Sequence, residues 1–392
     1  MVTNSPFPRH EYLSRIENTK RCMADQGIDV AIICAPENIY YLSGYAGWSF
    51  YTPQILVLAL DEEEPILILR EMDVACATLT AFLQTANVIG YPEHFVGRDD
   101  RHPMHFMADV IARHGWDTKS LGIEMDAHFF SPRSYHELTS RLSGARIKDL
   151  GLLVNWVRIV KSPLEIEYTR QAGEISAIAM QAGIDAIMPG VRECDVAAEI
   201  YHAKIRGTAA FGGGVSTGIA MPSGHKTSAP HLYWSDDVIA ENTSTNIEFG
   251  GCRHQYHAGL SRTVYLGKPP RTLTELADVV IEGLETALAS VSAGTTCEEV
   301  ELAWRKVINR AGHEKRSRIG YSIGLAFQPS WVERTASLQQ GDLTVLTPDM
   351  TFHMICGMWS GAQNLVVSET FRVTAQGCEL LTHFPRRLFV KD

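Results

Sequence analysis

The sequence predicts a two-domain α/β protein, on three observations. A chain of 392 residues exceeds the roughly 250–300 residues at which a single hydrophobic core stops growing. Its first 150 residues alternate helical periodicity with short apolar runs of strand length, the pattern of an α/β layer. Beyond them, Ser162 followed by Pro163 and Glu165 makes a sound helix start, with a cap, a proline in the first turn and an early acid favoured by the helix dipole. Taken in order, Glu11 to Gln26 carries the helical period. Val30–Cys34, Gln54–Ala59 and Pro65–Leu69 are apolar runs that predict strands. The boundary is expected near residue 155, giving domains 1–155 and 156–392.

Hydrophobic content of 45% and charged content of 20% are those of an ordinary globular enzyme. A formal charge of −10 argues against nucleic acid or an anionic membrane as partner, because both need concentrated basic charge. No apolar run reaches the roughly 20 residues of a spanning helix, and Met1–His10 lacks the apolar centre of a signal peptide. The cysteines at 22, 34, 76, 194, 252, 297, 356 and 378 form no Cys-x-x-Cys pair. They read as reduced thiols of a cytoplasmic protein.

The stretch Asn246–Val264, containing Glu248-Phe-Gly-Gly and Gly259-Leu-Ser-Arg-Thr263, resembles the metal-binding hairpin of the pita-bread hydrolases, the family of aminopeptidase P, prolidase, methionine aminopeptidase and creatinase. Asn38-Ile-Tyr-Tyr-Leu-Ser-Gly-Tyr45 and Arg158-Ile-Val-Lys-Ser-Pro-Leu-Glu165 resemble the N-terminal signature and the domain junction of the creatinase and prolidase branch. The resemblance implies an N-terminal creatinase/prolidase-like α/β domain followed by a C-terminal pita-bread domain. It also places the family's metal ligands. Glu248 stands at the first Asp and Gly259 at the second, Tyr321 at the His, and Ile355 at one Glu. Ser368 stands at the other, unless a shift of one residue puts Glu369 there. Paired divalent ions need several charged-oxygen or imidazole ligands, so the expectation is a site with no metal and no other cofactor.

Ser223-Gly-His-Lys-Thr-Ser-Ala-Pro-His231 is similar to the loop whose last histidine faces the reacting carbon in these enzymes. The run Gly320-Tyr-Ser-Ile-Gly…Trp331-Val-Glu-Arg-Thr335, with Met350-Thr-Phe-His-Met354 and Ser368-Glu-Thr-Phe-Arg-Val-Thr374, resembles the ectoine hydrolase branch. That implies opening of the cyclic amidine of ectoine to an N-acetylated 2,4-diaminobutyrate. Whether hydroxyectoine is accepted as well would turn on a single pocket contact. The family also implies a homodimer. A creatinase-like amidinohydrolase, an Xaa-Pro peptidase-like hydrolase and an inactive binding module are the alternatives.

Ectoine is a zwitterion whose amidinium carbon, C2, is already electrophilic. It needs an acceptor for the amidinium N–H groups, a base or nucleophile near C2, and a proton donor for the leaving nitrogen. His231, Glu248 and Glu369 are the catalytic candidates, His231 because imidazole titrates near neutrality. Glu333 is a further carboxylate for the cation, and Tyr321, Phe327, Trp331 and Trp359 could wall it by cation–π contact. His353 could touch substrate or support a strand. Structural readings stand beside these: Glu248 could pair with a buried Arg262, Glu369 with a cation of a neighbouring strand, and Glu333 with Arg334 on the surface. His254 and His257, which bracket Tyr256 at a hairpin turn, read as exposed. Phe211-Gly-Gly-Gly214 lacks the Gly-Lys-Ser/Thr of a phosphate loop and reads as a flexible or closely packed backbone.

Overall fold

The computed structural model of the protein describes residues 5–360 and 363–392. It divides after Arg158 into two units. The first holds α1 (Arg9–Asp25), β1 (Val30–Ile33), α2 (Pro36–Ser43), β2 (Ile55–Ala59), β3 (Ile66–Arg70), α3 (Val74–Thr80) and β4 (Val88–Tyr91), then α4 (Pro103–Arg113), β5 (Ser120–Ile123), α5 (Pro132–Thr139), β6 (Arg146–Asp149) and α6 (Leu153–Val157). Its strands form one sheet in the order β4-β3-β2-β1-β5-β6. β1, β2 and β3 are buried along nearly their whole length, which explains why they read as unbroken apolar runs. The helix and three strands expected from periodicity are present within a residue or two of their expected limits.

The Asn38–Tyr45 motif forms α2, which ends at Gly44 with φ 79°, a backbone angle natural to glycine. Asn38 Nδ2 donates to Glu124 Oε1 (2.6 Å) and to Asn155 Oδ1 (2.8 Å), and Glu124 Oε2 accepts from the amides of Cys34 and Ala35. The motif therefore fastens the start of this helix to β5 and α6.

The second unit holds α7 (Pro163–Ala186), α8 (Glu193–Arg206), β7 (Ser244–Arg253), β8 (Tyr256–Leu266), α9 (Arg271–Ser290) and α10 (Cys297–Arg310). There follow β9 (Gly320–Ile323), β10 (Val332–Leu338), β11 (Thr351–Ser360), β12 (Gln363–Thr374), β13 (Gly377–Leu380) and β14 (Phe389–Lys391). Ser162 and Glu165 form a reciprocal capping box at the start of α7. The strands make two sheets, β10-β9-β11-β12-β13 and β14-β8-β7. Leu276, Val280, Leu284, Val300 and Trp304 of α9 and α10 share a core with Phe352, Met354, Val367 and Phe371 of the larger sheet. Ala179, Met180, Val196 and Ile200 of α7 and α8 share another with Ile247, Phe249, Leu260 and Val264 of the β7/β8 hairpin. Each sheet so carries its own helix pair. Between the sheets, β8 is stitched to β12: Val366 N donates to Thr263 Oγ1 (2.9 Å), and Thr370 Oγ1 to Gly259 O (2.9 Å).

Eight cysteines are free thiols. Among the described residues no helix is long and apolar enough to cross a membrane.

Candidate active site

Strand parity decides which of the expected side chains can meet. β7 and β8 turn at His254 and Gln255, both with positive φ (48° and 67°), the geometry of a tight hairpin. The resulting register pairs Glu248 with Ser261 and Gly250 with Gly259, while Arg262 pairs with Ile247. Facing residues share a side and neighbours alternate, so Arg262 points away from Glu248. Its guanidinium instead donates to Glu369 Oε1 (2.7 Å) and to the carbonyls of Ser368, Phe384 and Pro385. In the larger sheet Tyr321 pairs with His353, His353 with Thr370, and Ile355 with Ser368, whereas Glu369 pairs with Met354 on the other side. Ser368, not Glu369, therefore turns toward the site.

A cavity of about 310 Å³ opens over this surface, at the lower end of the roughly 300–1,000 Å³ common for small-molecule sites. Thr217, Gly218 and Ala220 form one edge, His231 and Tyr233 another, and Pro329, Ser330 and Trp331 a third, with Glu248 and Tyr321 completing the lining. Ala220 is hydrogen-bonded to Glu248 through both backbone groups (2.9 and 2.8 Å), which fixes that edge to β7. Among the described residues Glu248 is the only carboxylate of the lining. Burial raises its carboxyl to about 7, against the opposing charge of Lys315.

Beneath the cavity runs a closed polar chain. Trp331 Nε1–H donates to Tyr321 Oη (2.8 Å); Tyr321 Oη meets His353 Nδ1 (3.1 Å), and His353 Nε2 meets Ser368 Oγ (2.8 Å). The His353 ring fills the space in front of Gly259, where a Cβ would stand 2.9 Å from it. Gly250 likewise admits Trp331, whose ring lies 3.2 Å from a Cβ built there. Burial holds His353 neutral, its pKa lowered to about 3. At the positions where the family would place ligands, then, stand one carboxylate, a tyrosine, an isoleucine, a serine and a glycine backed by an imidazole. These residues do not fit a metal pair. Among the described residues no three His, Cys, Asp or Glu side chains converge to hold an ion.

Of the residues expected from sequence, His231, Glu248, Tyr321 and Trp331 are brought together around the cavity. The others are corrections. Glu369 is buried in an ion pair with Arg262 and Arg386 and accepts a bond from Thr382, because its place on β12 faces it away from the cavity. Glu333 is buried against Lys161 Nζ at 2.6 Å, so a buried lysine already answers its charge. His353 meets Tyr321 through Nδ1 and is not part of the cavity lining. Phe327 is half-buried and does not line the cavity. Trp359 folds back over Gly357 and carries Lys315 Nζ 4.8 Å from its ring centre, so a cation already occupies its face. His257, expected to be exposed, is buried, since the tight turn leaves it inside β8. Thr217, Gly218, Tyr233 and Ser330 are lining residues that sequence reasoning passes over. Their one signal is adjacency to the His231 loop, the glycine run and Trp331.

Comparison with known proteins agrees with this architecture. The model of metallopeptidase family M24 matches residues 167–375, and that of the creatinase/prolidase N-terminal domain matches residues 15–160. An uncharacterised hydrolase/peptidase of Sinorhizobium fredii is 45% identical over 98% of this chain and 99% of its own. The ectoine hydrolase of Halomonas elongata is 39% identical over 98% of each chain. Among solved structures, a prolidase from Thermococcus sibiricus superposes with a TM-score of 0.84 at 19% identity, covering 97% of this chain and 99% of that one, which speaks to the fold alone.

Proposed function

The chain belongs to metallopeptidase family M24, and from that starting point we propose that it is a hydrolase that opens the cyclic amidine ring of ectoine without a metal ion. The observation that carries this reading is the exchange at the metal-ligand positions. His353 and its hydrogen-bonded partners fill the space in front of Gly259, leaving a small cavity with one carboxylate, one histidine and an aromatic wall. A dinuclear peptidase needs the ligands that are gone. An amidinium does not, because its carbon already bears shared positive charge. Identity of 39% along the whole length to the Halomonas ectoine hydrolase supports the same substrate.

In this reading Glu248, when ionised, accepts the amidinium N–H and takes a proton from the water whose oxygen attacks C2. Addition of water at C2 gives a tetrahedral carbon; one C2–N bond then breaks, and the departing nitrogen takes a proton. His231, at the cavity edge, is the donor in reach of solvent for that proton. Trp331 and Tyr321 form the wall over the ring, each cation–π contact being worth roughly 0.5–2 kcal/mol. A cytoplasmic homodimer belongs to the proposal too. Val215, Leu232 and Tyr233 stand 66, 42 and 59% exposed on the segments that border the cavity, and a second copy would cover them.

The test is direct. Purified protein incubated with ectoine should convert the ring methyl signal in proton NMR into that of an N-acetyl group, whereas Xaa-Pro dipeptides should remain intact. Cleavage of the dipeptides with ectoine untouched would overturn the proposal.

A further inference from the structure

A second charged feature adjoins the cavity. Lys204 of α8 is 3% exposed, and among the described residues no carboxylate pairs with it. Its Nζ lies 5.2 Å from the ring centres of both Tyr201 and Phe249, and donates to the carbonyl of Thr217 at 3.3 Å. The ionisable groups around it offer no counter-charge. Burial pushes the Cys252 thiol of β7 up to about 12 and holds His257 of β8 down at about 4. Tyr201, on its own helix, is likewise raised by burial, and Arg253 is turned to Gln171 and the carbonyl of Gly212. The segment 211–218 has no ionisable side chain. An isolated buried ammonium is costly; burial lowers Lys204 to about 8, so it is charged at neutral pH.

The glycine run accounts for the approach. A Cβ at Gly213 would lie 1.9 Å from the carbonyl of Lys204, so only glycine lets this segment close on the end of α8. Gly214 N bonds to Cys252 O (2.7 Å), and Gln328 Nε2 to Ser216 O (2.6 Å). The segment so fixed delivers Thr217 to the cavity. Thr217 is 6% exposed, and its hydroxyl is a buried polar group with no hydrogen-bond partner. An unpartnered hydroxyl on a residue of the cavity wall has hydrogen-bonding capacity that a bound substrate can satisfy.

We propose that Thr217, positioned and electrostatically backed by Lys204, forms the subsite for the carboxylate of a zwitterionic substrate, while Glu248 takes its amidinium. This rests on the reading of the cavity as an ectoine site and adds the recognition of the substrate's other end. Thr217 is the binding group. Lys204 acts through it, as a positioning residue whose charge makes this wall attractive to an anion.

The experiment uses ectoine as substrate and its decarboxylated analogue, 2-methyl-1,4,5,6-tetrahydropyrimidine, as competitive inhibitor. A hydrogen bond to a charged group is worth about 10- to 100-fold in affinity, so Thr217→Val should raise KM for ectoine by that factor at nearly constant kcat. The inhibition constant of the analogue should move far less. In the wild type, KM for ectoine should climb above about pH 8, and Lys204→Arg, which keeps its charge, should carry that rise to higher pH. Equal weakening of ectoine and analogue in Thr217→Val, or an unchanged KM for ectoine, would overturn the subsite. So would an alkaline limb that Lys204→Arg leaves in place. If the wild type leaves ectoine intact, the functional reading itself falls, a result seen before any variant is compared.

Discussion

The imidazole of His353 stands where a side chain at Gly259 would have to begin, 2.9 Å from a Cβ built on that glycine. The two positions lie on different sheets, β11 and β8, and fill one volume between them. Restoring an aspartate to Gly259 therefore does not restore a ligand but forces a ring out of a packed interior. Gly259→Asp should destabilise the protein by about 1–3 kcal/mol, the usual result of overpacking, and should gain no bound metal. A thermal melt with metal analysis checks this. A variant that binds stoichiometric zinc or manganese with an unchanged Tm would show that the His353 ring yields easily.

The same exchange predicts the response of the native enzyme to chelation. With Tyr321, Ile355 and Ser368 at the remaining positions, turnover of ectoine should be unaffected by EDTA, and dialysed protein should carry much less than one metal ion per chain. Loss of activity with EDTA and its recovery with a single divalent metal would refute metal-free chemistry.

Glu248 makes a prediction with opposite signs for activity and stability. Its carboxyl titrates at about 7 in the folded protein, against an ordinary value of 4.5. The folded state thus binds this proton more tightly than the unfolded chain. The stability that results is full below pH 4.5 and is lost as pH rises through 7. Glu248→Gln, neutral throughout, should therefore be more stable than wild type at pH 8, by on the order of 1–3 kcal/mol, while kcat falls about 10²–10⁴-fold. Wild-type kcat/KM should rise with pH through about 7. A Gln variant that melts below wild type at pH 8 and keeps its kcat would assign Glu248 to structure.

Much of this arrangement was legible in the sequence because it resides in local pattern. Apolar runs marked β1, β2 and β3, the capping residues marked α7, and the loop ending in His231 led to the cavity edge. The positions of Glu248 and Tyr321 followed from motif alignment. What could not be read was orientation between strands. Whether Ser368 or Glu369 enters the site depends on a one-residue parity that the β11/β12 register sets and the motif left open. Glu333 and Trp359 were misplaced for a related reason, since their partners, Lys161 and Lys315, are distant in sequence and came close only in the fold. Thr217 carried no signal of its own. Its hydroxyl matters because Gly213 lets the backbone press against α8, a contact invisible without coordinates.

Glu369 supplies the contrast to Glu248. It shares a buried ion pair with Arg262 at 2.7 Å and with Arg386 at 3.1 Å, and breaking such a pair by removing one partner costs about 3–5 kcal/mol. Glu369→Gln should lower Tm markedly yet leave kcat within a few-fold of wild type at temperatures where the variant is folded. Circular dichroism melts beside initial rates decide it. A stable variant with kcat reduced a thousandfold would return Glu369 to the catalytic set.

His231 and Trp331 line the same cavity but should fail in different ways when removed. A proton donor acts in the transition state, so His231→Ala should reduce kcat and kcat/KM together with little change in KM. Trp331 holds substrate and transition state alike, so Trp331→Phe, which keeps an aromatic face but loses the indole, should mainly raise KM. Losing roughly 1–2 kcal/mol of cation–π contact corresponds to about 5- to 30-fold. Trp331→Phe also removes the Nε1–H donated to Tyr321 Oη, so Tyr321→Phe, which deletes the acceptor instead, separates the loss of that bond from the loss of the wall. Trp359→Phe is the control: its ring already faces Lys315, and its KM for ectoine should stay near wild type. Steady-state kinetics on ectoine across these variants test the assignment. If His231→Ala raises KM and spares kcat, the histidine is a binding residue, and the proton to the leaving nitrogen must come from Glu248 once it has been protonated.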